Sequence, residues 1–240
     1  MRKLFALVLS LSLLIVVGGV ALTGARIGDS PRQAPRIPFE HSTSLNWSGY
    51  VASGATFNSV SGSWVQPTAT CTKGQQYAAF WVGLDGNSSS SVEQIGTDAD
   101  CLNGRPSYYA WYEMYPAASV RIPNFTVSPG TTYTASVSYD NASNTFTLTI
   151  VGGGPPFTVA LTASGQLRSS AEWIAEAPSI GGHILRLTNF GTMLFSGINA
   201  SSPSITPWDK MTMTDRKGAP KAVPSSLGAG NSFSVSWLQQ

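Results

Sequence analysis

The 240-residue chain carries 14 Lys and Arg against 12 Asp and Glu, and only 11% of its residues are charged. Arg2, Lys3, Arg26, Arg32 and Arg36 all precede position 45, so residues 46–209 hold five basic side chains against nine acids. That balance excludes a nucleic-acid partner, which needs a basic surface. At the N-terminus, Arg2 and Lys3 lead into the apolar run from Leu4 to Val20, followed by the small residues Ala21, Gly24 and Ala25. This reads as an export signal over residues 1–25 and a secreted protein. An uncleaved membrane anchor is the alternative, because the run approaches the roughly 18 residues that begin to span a bilayer. Residues 26–45, rich in Pro and Arg, predict a flexible linker or short pro-segment.

From Asn46 to Gln240 the composition shifts to Ser, Thr, Gly, Val, Tyr and Trp, with no sustained helical period. Strands are predicted at 49–52, 59–65, 77–83, 91–95, 108–115, 132–139, 145–151, 157–161, 171–175, 187–195 and 233–238. Turn signals separate them at Asp85-Gly86-Asn87, Pro129-Gly130, Asp140-Asn141 and Gly152-Gly153-Gly154. The pattern specifies one all-β domain, an antiparallel β-sandwich, with a closed barrel as the alternative. Residues 201–232 read as long connections. The two cysteines, Cys71 and Cys101, predict a disulfide in an exported protein, against two buried free thiols.

Metal and cofactor chemistry find no support. His41 falls in the linker, and His183 follows Gly181-Gly182 in what reads as an exposed turn. Neither an H-E-x-x-H pair nor a G-x-S-x-G elbow occurs. The remaining chemistry is carboxylate, amide and aromatic. In Ala171-Glu172-Trp173-Ile174-Ala175-Glu176, alternation turns Glu172 and Glu176 toward one face. The same rule groups Trp81, Gly83 and Asp85 opposite Phe80, Val82 and Leu84. It groups Trp111, Glu113 and Tyr115 opposite Tyr112 and Met114, and Gln94 with Val92 and Gly96. Such an aromatic–carboxylate face forms a groove able to bind a polymer, against the reading of a solvated sheet surface. A carbohydrate-binding or carbohydrate-hydrolysing β-sandwich is one function this face suits.

The segments Asn46-Trp-Ser-Gly-Tyr, Trp81-Val-Gly-Leu-Asp-Gly, Glu93-Gln-Ile-Gly-Thr-Asp, Ala110-Trp-Tyr-Glu-Met-Tyr-Pro and Ala171-Glu-Trp-Ile-Ala-Glu occur in the order found in the glutamic peptidases, or eqolisins. The chain resembles that family from about Asn46 to about Ser201. The resemblance implies a β-sandwich of two curved antiparallel sheets, of the concanavalin or jelly-roll kind. It implies a secreted, acid-acting endopeptidase that cleaves polypeptides as a monomer, without cofactor or metal. By motif position the catalytic pair falls on Gln94 and Glu176. Trp81, Asp85, Asp98, Trp111, Glu113 and Tyr115 match positions in or near the substrate cleft. Glu172 is either a partner of the pair or an exposed strand residue. Tyr109 stands where the fungal enzymes have an Asp. Residues 26–44 are shorter than the fungal pro-segments, which leaves zymogen control open.

Overall fold

The structure, a computed structural model, describes residues 31–38, 42–202 and 208–240; the expected export signal and His41 lie outside the described residues. Seventeen strands occupy them: β1 (Thr43–Ser44), β2 (Trp47–Ser53), β3 (Ser59–Val65), β4 (Ala79–Leu84), β5 (Val92–Leu102), β6 (Arg105–Tyr115), β7 (Val120–Arg121), β8 (Thr132–Asp140), β9 (Thr145–Val151), β10 (Phe157–Thr162), β11 (Ser170–Glu176), β12 (Ser179–Ile180), β13 (His183–Ile184), β14 (Thr192–Ala200), β15 (Asp209–Thr214), β16 (Pro220–Pro224) and β17 (Phe233–Trp237). No helix among the described residues is long and apolar enough to cross a membrane.

Alternation decides which face each strand buries. Val60 and Trp64 of β3, Tyr133, Ala135 and Val137 of β8, and Phe146, Leu148 and Ile150 of β9 point into one core. Phe80, Val82 and Leu84 of β4, Ile95 of β5 and Trp173 of β11 meet them from the other layer. The sheet runs β10-β9-β8-β3-β14-β17-β16-β15-β2-β11-β4-β5-β6-β7 and folds over at β15, which bonds to β16 on one side and β2 on the other. The path ends at β10 and β7 without pairing back on itself, so the fold is the sandwich and not the closed barrel.

Two expectations about strands need correction. Residues 201–232 are not only connections: they contain β15 and β16, and Met211 and Met213 of β15 are buried. Thr212 between them obeys period two, but Lys210 and two prolines mask the signal; both prolines sit at the ends of β16, where a missing N–H costs least. The strand expected at 187–195 begins only at Thr192. Leu187 and Asn189 bridge Tyr77 and Thr70 instead, and Gly191, at φ 62°, breaks the run in the left-handed region.

The Cys71–Cys101 disulfide forms, with Cα atoms 5.4 Å apart, and ties the segment ahead of β4 to β5. With the cysteines separated by 30 positions in sequence, the chain-entropy relation assigns the closed loop about 3–4 kcal/mol. The double variant Cys71→Ser, Cys101→Ser should lose that amount in urea unfolding at acidic pH. An unchanged free energy would show that the link constrains nothing.

Candidate active site

The face of β2, β11, β4, β5 and β6 turned away from the core carries the candidate residues. Here Trp47, Val51, Ala79, Trp81, Val92, Trp111, Ile174 and Met211 form a second apolar cluster, with Tyr109 and Tyr115 packed against it. The expected groupings hold: Trp81 and Trp111 lie on this face, while Phe80, Val82, Tyr112 and Met114 face the main core.

Strand order brings distant residues together. β4 lies between β11 and β5, with Gly83 opposite both Glu172 and Gln94, and Ala79 opposite both Glu176 and Asp98. β6 continues the face, with Glu113 opposite Gln94 and Tyr109 opposite Asp98. Glycines make room for the central indole. A Cβ at Gly96 would lie 2.6 Å from Trp81 Cβ, and one at Gly83 would lie 2.9 Å from Trp81 Cζ3. With both absent, Trp81 lies along the strand and donates Nε1–H to Glu176 Oε2 at 2.9 Å.

Neither carboxyl of the Ala171–Glu176 segment meets solvent. Glu172 and Glu176 are both 0% exposed, which removes the exposed-residue reading of Glu172. Nor is the face solvated: Trp81, Trp111, Gln94 and Glu113 are buried as well. The cover is residues 31–38. Gln94 Nε2–H donates to the Gln33 carbonyl at 2.9 Å and to Glu113 Oε2 at 3.1 Å. Glu176 Oε1 accepts the Ala34 N–H at 2.9 Å and Asn46 Nδ2–H at 3.3 Å. Gln94 and Glu176 therefore touch the oxygen and nitrogen of a single peptide group. Gln94 Oε1 is buried with no hydrogen-bond donor among the described residues.

Burial raises the pKa of Glu176, and the Glu113 charge adds to the rise; the Ala34 N–H, Trp81 and Asn46 donors oppose it. Burial also pushes Glu113 up to about 8, against the Gln33 backbone, Arg32 and Gln94. Asp85 is not among the groups acting on Glu176. Its carboxylate instead accepts the Arg168 and Ser169 N–H groups at 2.6 and 2.9 Å and the Ser169 hydroxyl at 3.0 Å, tying that loop to the end of β4.

At the far end of the face Asp98 accepts Trp111 Nε1–H, and Tyr109 donates its hydroxyl between Asp98 Oδ2 at 2.7 Å and Asp100 Oδ2 at 3.0 Å. Arg121 stacks on the Tyr109 ring at 4.6 Å. The tyrosine in place of an Asp thus leaves two buried acids bridged by a neutral donor. Tyr115 is half-buried and, with Arg32, Pro35, Ser89 and Ile180, lines a cavity of ≈ 660 Å³ beside the covering segment. His183 is exposed in the β12–β13 hairpin, as expected, and no group of His, Cys, Asp and Glu among the described residues could hold a metal.

Three contributors were not singled out from sequence. Asn46 bonds Glu176 and the carbonyls of Ala34 and Pro35. Trp47 donates Nε1–H to Ala34 O at 3.0 Å. Ser179 pairs with Arg32 through both backbone groups, each at 2.9 Å. The first two open the Asn46–Tyr50 motif, so a signal for them existed.

A family model for the Peptidase A4 family matches residues 45–237. Aspergillopepsin-2 of Aspergillus niger is 26% identical over 221 residues, covering 81% of this chain and 78% of that protein. Scytalidopepsin B of Scytalidium lignicola is 32% identical over 142 residues, 57% of this chain and 53% of that protein. Among solved structures, scytalido-glutamic peptidase with a transition state analog inhibitor superposes with a TM-score of 0.71 at 22% identity, covering 81% of this chain and 98% of that one. Aspergilloglutamic peptidase from Aspergillus niger gives 0.58 at 25% identity, covering 68% and 99%.

Proposed function

Because the chain belongs to the Peptidase A4 family, the glutamic peptidases, and is a glutamic-type endopeptidase acting on polypeptides, we propose that Gln94 and Glu176 are the pair that hydrolyses the peptide bond. The observation that carries this reading is their convergence on one peptide group, the amide on its oxygen and the carboxyl on its nitrogen.

Glu176 as carboxylate takes a proton from water, and the water oxygen attacks the carbonyl carbon. Its raised pKa makes that minority carboxylate a stronger base, and the protonated form then supplies the leaving nitrogen. Gln94 cannot titrate usefully. Its NH₂ donates to the oxygen where negative charge develops, and its carbonyl can accept from the attacking water. Glu113 fixes the orientation of that amide by accepting its second N–H. Trp81 and Asn46 hold the Glu176 carboxyl in place, while Trp111 and Tyr115 extend the groove. The aromatic face that also suited a carbohydrate ligand is, on this reading, the wall of a peptide cleft.

We place the enzyme in an exported, acidic setting. The leader-like first 25 residues and the disulfide support export, and a cleft of buried carboxyls that resist ionisation supports acid. Purified protein should digest denatured haemoglobin in acid and resist pepstatin. Gln94→Ala should lower kcat/KM about 10²–10³-fold, the usual cost of an oxyanion donor. Full activity in Gln94→Ala would remove the amide from the mechanism.

A further inference from the structure

The segment ahead of the folded domain lies in the cleft as a substrate would. Its backbone groups are matched one after another: Arg32 by both groups of Ser179, Gln33 O by Gln94, Ala34 N–H by Glu176, and Ala34 O by Trp47. Further along, Pro35 O accepts from Asn46, Arg36 N–H donates to Gly86 O, and Ile37 N–H donates to Asn46 Oδ1. An extended chain adding to a strand edge while its carbonyls meet side-chain donors is how peptides bind by strand addition. Leu45 N–H donates to Ile37 O, so the strand comes from the same molecule with little connecting chain.

From this register the geometry points to Gln33–Ala34 as a bond that the enzyme hydrolyses in its own chain, by the Gln94–Glu176 chemistry proposed above, on which this inference rests. Water supplies the co-reactant. Its oxygen bonds to the Gln33 carbonyl carbon while one of its protons passes to Glu176. The oxygen held by Gln94 carries the charge. The C–N bond then breaks, and the proton on Glu176 goes to the Ala34 nitrogen, 2.9 Å from Oε1. The products are a Gln33 carboxyl group and a new amino terminus at Ala34. The side chain flanking the cut on its N-terminal side is a glutamine, 2% exposed; alanine and then proline follow it. The cleft therefore accepts a neutral polar residue before the bond and small or rigid residues after it.

The test uses the full chain, with the Glu176→Gln protein as the uncut reference. Moved to acidic buffer, the wild-type chain should yield a terminus at Ala34 by intact mass and N-terminal sequencing, with a first-order rate that does not change with protein concentration. Ala34→Pro removes the N–H that Glu176 accepts and should slow this cut at least about tenfold, the lower end for losing a bond to a charged group. Haemoglobin digestion is measured in parallel. If haemoglobin is digested while Gln33–Ala34 stays intact, or is cut only at a rate that rises with concentration, or is cut as fast in Ala34→Pro, this inference falls and the catalytic pair stands. If folded protein cuts neither, both fall.

Discussion

Glu176→Gln should lower kcat/KM on a peptide substrate by about 10³-fold or more at acidic pH, in a variant that still folds. Glutamine keeps the size of the acid and one acceptor oxygen, which can serve the Ala34 and Asn46 donors, but its NH₂ then meets Trp81 Nε1–H where a carboxyl oxygen accepted. What disappears is the ability to take a proton from water and return it to nitrogen, a contribution of about 10²–10⁴ for a positioned acid–base residue. Stability and activity should part company. In acid the unfolding free energy should fall by about 1–3 kcal/mol, the cost of leaving the buried Trp81 donor unpaired. Toward neutral pH the variant should be the more stable protein, because the buried carboxyl that resists ionisation is gone. Steady-state kinetics and urea unfolding at two pH values read both effects. Wild-type kcat/KM in Glu176→Gln would end the proposed mechanism.

Raising the pH from acid to neutral should weaken the fold by several kcal/mol. Burial raises the pKa of Glu93 to about 9, Glu113 to about 8 and Asp100 to about 7, and also raises Asp98, Glu172 and Glu176. Only partial compensation comes from Arg168 near Glu93, Arg32 near Glu113 and Arg121 near Asp100. The sign follows from proton counting. Each carboxyl holds its proton more tightly folded than unfolded, so the unfolded chain releases protons first as pH rises. The favourable contribution is complete below the unfolded value near 4.5 and is lost as pH climbs through the folded values. At about 1.4 kcal/mol per pH unit, Glu93 alone removes on the order of 3 kcal/mol between that value and pH 7. Thermal unfolding should show a Tm that falls steadily from pH 4 to pH 7, and Glu93→Gln should flatten the slope. A Tm that rises over that interval would mean these carboxyls ionise freely in the folded state.

Much of this was legible in the chain. Alternation alone separated Trp81, Gly83 and Asp85 from Phe80, Val82 and Leu84, because a strand has only two faces and one was plainly apolar. It likewise put Trp111, Glu113 and Tyr115 together, and Glu172 with Glu176. The sandwich followed from short period-two runs separated by turn residues. Where local pattern was weak, as in β15 and β16, the strands were missed, since charged and proline residues hid buried methionines.

Sequence by itself determined most of the strands, their two faces and the chemical groups available, since those depend on local geometry and side-chain type. Only the tertiary structure decided which groups meet. Pairing β4 with both β11 and β5 set Gln94 and Glu176 on one cleft. The Asp85 carboxylate clasped the loop at Arg168 and Ser169, and Tyr109 bridged Asp98 and Asp100. Residues 31–38 carry no periodic pattern because backbone hydrogen bonds, not an alternating apolar face, hold them. Their backbone is satisfied by a distant cleft, and strand order, which no local stretch encodes, is what builds that cleft.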